Sequence, residues 1–231
     1  MSIVMNEVAP TTALLQLMTW FSPGFPTGAF AYSHGLESAI QRELITCRQD
    51  AEEYLLDLTH TGSLWNDLVL ASLSWKAATQ EDIAFLCQLN ELSLALCPGE
   101  DRFMETTLQG DAFSKAAKPW GSEKIALQLD SADLAYPIAV ATIAATNCVP
   151  LIATLAAYQH SFCANLVSVM MRLVPLGQTD GMQILADLEP HLAELSKRAA
   201  TASLEDLGSA TLHGDFLAIA HEHQHTRIFR S

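Results

Sequence analysis

The stretch FSPGFPTGAFAYSHGLE, residues 21–37, decides how the N-terminal part of the chain folds, and we call it the opening segment. Its two prolines push the residues before them towards extended backbone, while its glycines can adopt dihedral angles closed to other residues. A helix that arrives from the N-terminal side is therefore expected to end near Phe21. Thr27 can then cap a new helix that begins around Gly28. The first turns of that helix would carry Phe30, Tyr32, Ser33, His34 and Glu37.

Aromatic and titratable side chains at a helix start, beside a stiff Pro-Gly loop, predict a contact site in the opening segment. Each residue also has a structural explanation. Tyr32 and His34 can be hydrogen-bonded core residues, and Arg172, further along the chain, can simply neutralise a helix end. The hypothesis of a contact site therefore depends on the combination of residues.

Composition indicates one domain with a bias towards helices and an excess of acidic residues. The 231 residues suffice for one substantial core, half of them are hydrophobic, and 16% are charged. The formal charge of −14 comes from 26 acidic and 12 basic residues. Nucleic acid is a poor candidate partner, because binding to phosphates needs clustered Lys and Arg. A basic protein partner fits better.

Apolar periodicity predicts a bundle of about eight to ten helices, without strands. The first helix shows apolar residues at Leu14, Leu17, Met18 and Phe21, with Thr11 or Thr12 available as its cap. Further helices are expected after Asp50 and after Asp82, over 100–118, twice within 134–171, and from about Asp180 to Ala202, where Pro190 should kink or divide the last one.

Residues 134–171 contain no Asp, Glu, Lys or Arg, which raises the question of a membrane span. Two prolines, Pro137 and Pro150, and several polar side chains leave no clean run of about 20 apolar residues. Two helices buried in a bundle or at an oligomer interface are the favoured interpretation.

The cysteines indicate a reducing compartment. They are odd in number, widely spaced and include no Cys-x-x-Cys pair, and the N-terminus lacks the pattern of a secretory signal. We therefore expect reduced, mostly buried thiols and a cytoplasmic protein. The five are Cys47, Cys87, Cys97, Cys148 and Cys163.

Two motifs resemble catalytic sites. His221-Glu222-x-x-His225 satisfies the zinc-binding H-E-x-x-H pattern, so a metal-dependent hydrolase is kept as the alternative function. The pattern lies at the end of the chain, and no further ligand follows it. Ser33 occupies the centre of an A-x-S-x-G variant of the nucleophile elbow, but the strands that this chemistry needs are not predicted. Residues 24–28 lack the Gly-Lys-Ser/Thr ending of a phosphate-binding loop.

Ordered blocks over most of the chain resemble the urease accessory protein UreF family. The opening segment is similar to the family signature S-P-x-x-P-x-G-x-F-x-Y-S-x-G-L-E. The departures from the family pattern are Gly24 and Phe25 in the first block and His225 in the last, where tyrosine is common. The other matching blocks are 135–140, 172–178, 206–209 and the closing H-E-x-Q-x-x-R-x-F-R-S at 221–231.

The resemblance implies an all-α protein that is a scaffold and not an enzyme. Such proteins link a UreD/UreH-type accessory protein to the UreG-type GTPase, so that nickel reaches the urease apoenzyme. They are commonly dimeric, and modulation of the GTPase is expected. No cofactor is implied, since nickel is handled by the complex. The residues predicted to bind partners are Phe30, Tyr32, His34, Glu37, Arg172, Gln178, Arg227, Ile228, Phe229, Arg230 and Ser231.

The C-terminal tail, 222–231, is predicted to order when a UreD-type partner binds, whereas residues 1–10 are expected to be flexible. Residues 227–230 combine two arginines with apolar and aromatic side chains, which is too apolar for a free end and too short to fold alone. On docking, Arg227 is expected to hydrogen-bond near Tyr32 and to help shape the surface seen by the GTPase.

Overall fold

The computed structural model describes residues 10–121, 133–208 and Phe229. Within these ranges the secondary structure is helical, which confirms the predicted all-α bundle. Short 3₁₀ turns occur at Ala29–Ala31, Lys118–Trp120 and Leu204–Asp206. The α-helices are α1 (Pro10–Trp20), α2 (Leu36–Gln41), α3 (Arg48–Thr61), α4 (Ser63–Thr79), α5 (Ile83–Ala95), α6 (Glu100–Ala116), α7 (Tyr136–Thr146), α8 (Leu151–Leu173) and α9 (Gln178–Thr201).

Helix α1 ends where predicted but buries a different face. Leu17 is buried as predicted, but Leu14 and Met18 are 56% and 62% exposed, so the prediction is wrong for these two residues. The Trp20 ring packs edge-on against Phe113 and Trp120, and this contact fixes the rotation of the helix. Thr11 and Thr12 lie inside the helix and do not precede it. The buried residues of α1 are Ala13, Leu17 and Trp20.

The predicted helix boundaries hold within a few residues, with three differences. Helix α3 begins at Arg48, because Asp50 is its third residue and its carboxylate accepts the N–H of Cys47 at 3.1 Å. One long helix was expected to run through Gly62, whereas Gly62 is extended and separates α3 from α4. Helix α9 runs from Gln178 to Thr201 without a break at Pro190, so the predicted division is wrong.

Helix α7 lies at the centre of the larger apolar core, which we call the central cluster. It is buried on every side from Pro137 to Ala145 and packs mainly against α4 and α6. This burial explains the charge-free run, and none of the helices in the described ranges is long and apolar enough to cross a bilayer. Large members of the central cluster are Trp20, Leu68, Leu89, Phe113, Ile138 and Ile143.

A second apolar cluster joins α2, α3, α8 and α9. Phe229, far along the chain, packs into it and is only 6% exposed. The opening segment leads from α1, which packs in the central cluster, to α2, which packs in the second. Large members of the second cluster are Leu36, Leu55, Leu166, Ile184, Leu188 and Phe229.

Candidate interaction site

The opening segment is a shaped loop, and the predicted helix from Gly28 is wrong. Gly28 has a φ of 74°, and only one 3₁₀ turn follows it. His34 and Gly35 also have positive φ values, 52° and 75°, so α2 begins only at Leu36. Three left-handed residues within eight positions are incompatible with a continuous right-handed helix. Ser33, expected on a helix, therefore lies in the loop, where it is fully buried.

Two helices hold this loop through side chain to backbone hydrogen bonds. The Asn165 amide of α8 donates to the carbonyl of Ala29 at 2.9 Å and to that of Tyr32 at 3.3 Å. The Tyr54 hydroxyl of α3 donates to the His34 carbonyl at 3.1 Å. The Ala29 carbonyl also accepts the N–H of Tyr32, and these bonds together fix the course of the loop.

A buried ionic network extends from the loop into the helices. His34 Nε2 lies 2.9 Å from Glu105 Oε1, and Arg102 Nη1 lies 3.2 Å from the other oxygen of Glu105. Arg102 also donates to Asp67 at 2.5 Å, and the Tyr158 hydroxyl donates to the same Asp67 oxygen at 2.9 Å. The network thus connects the opening segment with α4, α6 and α8.

The positive groups near Glu105 change its pKa more than burial does. Burial alone would raise the pKa of Glu105, but His34 and Arg102 lower it below its ordinary value. Gln109 adds a hydrogen bond to Oε1 at 2.9 Å. Burial, together with the Asp67 carboxylate, raises the pKa of Tyr158 well above its usual range. Tyr158 therefore remains a proton donor, and Glu105 a charged acceptor, at neutral pH.

Two small cavities flank the network. One, of about 30 Å³, is lined by residues that include His34, Glu105 and Tyr158. The other, of about 50 Å³, lies beside Asp67 and Arg102. Each has room for a water molecule or two, but not for a substrate or an organic cofactor. The polar network is therefore better suited to fix the loop than to hold a substrate.

The predicted partner-binding residues divide by exposure. Phe30 is 67% exposed at the tip of the loop, whereas Tyr32 and Glu37 are 4% and 1% exposed. His34 is occupied by the ionic network. Arg172 and Gln178 are exposed near the connection between α8 and α9. In this conformation the side chain of Phe30 is accessible from solvent, whereas Tyr32 and Glu37 are buried beneath the surface. The roles of all these residues in partner contact stay predictions.

The C-terminal tail is described at one residue. The backbone N–H of Phe229 donates to the Glu37 carboxylate at 3.0 Å, so this point of the tail lies beside α2. The remaining tail predictions, on Arg227, Ile228, Arg230 and Ser231, fall outside the described residues, as do the first nine residues. The His221-Glu222-x-x-His225 pattern also lies outside them. Elsewhere in the described chain, no three or more His, Cys, Asp or Glu side chains are placed to hold a metal ion.

Sequence reasoning missed the residues that support the loop. Asp67, Arg102, Glu105 and Tyr158 lie far apart in sequence, and no motif connects them. Asn165 was only one of the several polar side chains that interrupt the charge-free run. A usable signal was present in α4, where Asp67 is the one acidic residue of a largely buried helix and requires a buried partner.

The amino-acid sequence is similar to those of known proteins of about the same length. The family model UreF matches residues 45–189. The urease accessory protein UreF of Brucella ovis is 48% identical over 223 residues, which cover 96% of each chain. The protein of the same name from Rhodopseudomonas palustris is 42% identical over 228 residues, covering 97% of this chain and 96% of its own. These alignments are long enough to extend well beyond the region matched by the family model.

Proposed function

Because the chain belongs to the UreF family of urease accessory proteins, we propose that it is the scaffold linking a UreD/UreH-type accessory protein to the UreG-type GTPase. In this role the assembled complex inserts nickel, as cargo, into the urease apoenzyme. The proposal includes modulation of GTP hydrolysis, a homodimer and a cytoplasmic location. The family name describes an accessory role in urease maturation, and catalysis is assigned to the partners.

The observation that carries the proposal is the fixed opening segment with an exposed aromatic tip. Asn165, Tyr54 and the His34–Glu105 pair hold the loop, while Phe30 remains 67% exposed. Aromatic side chains on a fixed support are typical anchors of protein interfaces. The cavities around the loop are too small for a substrate, so a macromolecular partner fits this surface better than a small molecule.

Charge and apolar surface point in the same direction. The formal charge of −14 favours a partner with a basic surface. Helix α1 adds exposed apolar area through Leu14, Leu15 and Met18, which are 56%, 58% and 62% exposed. Apolar side chains grouped on one helix are a feature of interaction surfaces.

Co-purification with the partners tests the proposal. Phe30→Ala should weaken retention of a partner by about tenfold or more while leaving thermal unfolding almost unchanged, because the side chain contributes little to the fold. Met182→Ala, another exposed apolar residue at 56%, is the matched control and should retain both partners. Retention of both partners by Phe30→Ala would remove the loop tip from the interface.

A second variant tests the tail and a third the alternative enzyme. Deletion of residues 226–231 should abolish assembly of the three-component complex. The helical circular dichroism signal should persist, with a lower Tm because Phe229 is lost from the second cluster. A truncated chain that still assembles would contradict this role of the tail.

Glu222→Gln should activate urease as well as the unaltered chain does. Loss of activity in this variant, together with tight stoichiometric zinc binding, would favour the metal-dependent hydrolase.

A further inference from the structure

Helix α6 carries exposed apolar side chains on the face turned away from the central cluster. Its buried residues, which include Glu105, Gln109 and Phe113, lie on one face. Met104 and Leu108 lie on the other, one helical turn apart, and they are 48% and 43% exposed. Residues four positions apart on a helix are neighbours on its surface. The two side chains therefore form one apolar patch, which we call the α6 patch.

The α6 patch adjoins the opening segment, which runs along α6 in the opposite direction. The Phe25 ring packs against Phe113 with centroids 5.3 Å apart, and further along the segment His34 Nε2 lies 2.9 Å from Glu105. Leu108 falls between these two contact points on α6. The exposed tip of the loop falls between the same two contacts in the opening segment. The loop tip and the α6 patch are therefore at the same level of the helix.

The charges around the α6 patch restrict what can bind there. Glu100, one turn before the patch, is exposed, and Asp101 follows it. Beyond the patch, Asp111 pairs with Lys115 at 2.6 Å, so these two residues add no net charge. The border of the patch is therefore acidic overall, in a chain whose formal charge is −14. Such a border repels an anionic lipid surface or a nucleic acid.

A second copy of the chain does not match this pattern of charges. A two-fold axis midway between Met104 and Leu108 would bring two α6 helices together in antiparallel orientation. Asp101 of each copy would then lie opposite Asp111 of the other, and like charges in such positions oppose association. An amphipathic segment with apolar side chains flanked by Lys or Arg matches both the patch and its acidic border.

We propose that the α6 patch binds a basic amphipathic segment of a partner protein. Apolar side chains of that segment cover Met104 and Leu108, and its Lys or Arg side chains lie beside Glu100. The inference rests on the proposed scaffold role and deepens it, because it extends the interface from the loop tip onto α6 and states the chemistry of the partner's surface. Contacts on a fixed loop and on a packed helix together would anchor such a partner.

Co-purification with the UreD/UreH-type and UreG-type partners tests the α6 patch. Leu108→Glu places a charge in the patch and should weaken retention of one partner at least tenfold. Met104→Glu should have the same effect, so the result does not depend on one variant. Met182→Glu adds the same charge at another exposed methionine, on α9, and should retain both partners. The Tm of each variant should stay close to that of the unaltered chain, because about half of each side chain is already solvated.

Reversal of a charge tests the sign of the partner's surface. Glu100→Lys should weaken retention of the same partner severalfold, and the difference from the unaltered chain should shrink at high salt. Glu189→Lys, at an exposed carboxylate on α9, changes the net charge by the same amount and should leave retention unchanged. Tighter retention by Glu100→Lys would contradict a basic partner surface.

Three further results would overturn the proposal. Retention of both partners by Leu108→Glu and by Met104→Glu would place the patch outside the interface. A changed oligomeric state without loss of a partner, measured by light scattering, would assign the patch to a second copy. A large fall in Tm in both variants would mean that the chain itself covers the patch. Failure of the scaffold role is distinct, since the unaltered chain would then retain neither partner and this inference would fail with it.

Discussion

The central cluster and the second cluster differ in the atoms that surround a glycine in one of their helices. At Gly110 of α6, an added Cβ would overlap the carbonyl oxygen of Leu134 and lie 2.9 Å from its carbonyl carbon. At Gly181 of α9, it would meet the sulfur of Met171 at 2.6 Å. A backbone carbonyl held by the fold cannot move aside, whereas a methionine side chain can rotate. The central region is therefore rigid where the second is adaptable.

Charges follow the same division. Beside the central cluster, the side chains of Arg102, Asp67 and Glu105 are only 13%, 10% and 2% exposed. At the edge of the second cluster, the ion pair of Arg48 with Asp187 has side chains 39% and 45% exposed, where water screens it. Removing the partner of a buried charge costs much stability, whereas water can replace the partner of a solvated charge. This comparison indicates that substitutions near the opening segment should be far more harmful than chemically similar ones elsewhere.

The largest effect is expected from Arg102→Met. Removing the guanidinium leaves the buried carboxylates of Asp67 and Glu105 without their shared counter-ion, which should lower the free energy of unfolding by about 3–5 kcal/mol. Urea-induced unfolding at neutral pH measures the loss. Lys115→Met is the control on the same helix, because Lys115 pairs with Asp111 in an exposed ion pair. It should change stability by less than about 0.5 kcal/mol. Equal effects of the two variants would contradict the contrast between buried and solvated pairs.

Gly110→Ala should lower the free energy of unfolding by about 3 kcal/mol. The methyl group must displace the backbone around Leu134, and the higher helix propensity of alanine offsets only about 1 kcal/mol of this cost. Urea unfolding, with the midpoint and slope fitted separately, measures the change. A stable Gly110→Ala protein would mean that the chain at Leu134 can move, and the central region would not be rigid.

Acid should have a smaller effect, and it isolates one buried group. The folded-state pKa of Glu105 lies below its ordinary value of 4.5. Its stabilising contribution is therefore complete above pH 4.5 and is lost as the pH falls through the folded-state value. The stability difference between the unaltered chain and Glu105→Gln should shrink between about pH 7 and about pH 3. A difference that is constant over this range would exclude a charged Glu105 in the folded protein.

Gly181→Ala should have the smallest effect, within about 1 kcal/mol of zero. Rotation of Met171 can relieve the contact, and alanine favours the α9 helix by about 1 kcal/mol. The same urea unfolding experiment compares it directly with Gly110→Ala. If Gly181→Ala were as destabilising as Gly110→Ala, the second cluster would be as rigid as the central one.

Periodicity predicted the helices well because their patterns are local. Caps such as Asp82, which accepts the N–H of Phe85 at 3.0 Å, depend on neighbouring residues and are legible in the sequence. The local pattern did not predict which face of α1 is buried. Leu14 and Met18 follow helical spacing, but the packing of Trp20 against Phe113, nearly a hundred residues away, selects a stripe that keeps Leu17 and excludes those two residues. Tertiary contact decides which of two apolar faces is buried.

The opening segment was located correctly and shaped incorrectly. Its glycines and prolines predicted a turn, but no local rule required left-handed backbone at His34, which is not a glycine. That conformation is held by partners on other helices, among them Tyr54 and Glu105. The contacts of Phe30 and the tail with a partner stay predictions.

The hydrogen bonds from Asn165 and Tyr54 have a consequence for association. A loop that is already held in one conformation loses little conformational entropy when a partner binds at its tip. Immobilising a flexible side chain at an interface costs about 0.5–1.5 kcal/mol, and ordering a whole mobile loop would cost several times more. The affinity of a partner for Phe30 should therefore depend on the contacts it makes there, and the preorganised loop lets even a small interface bind.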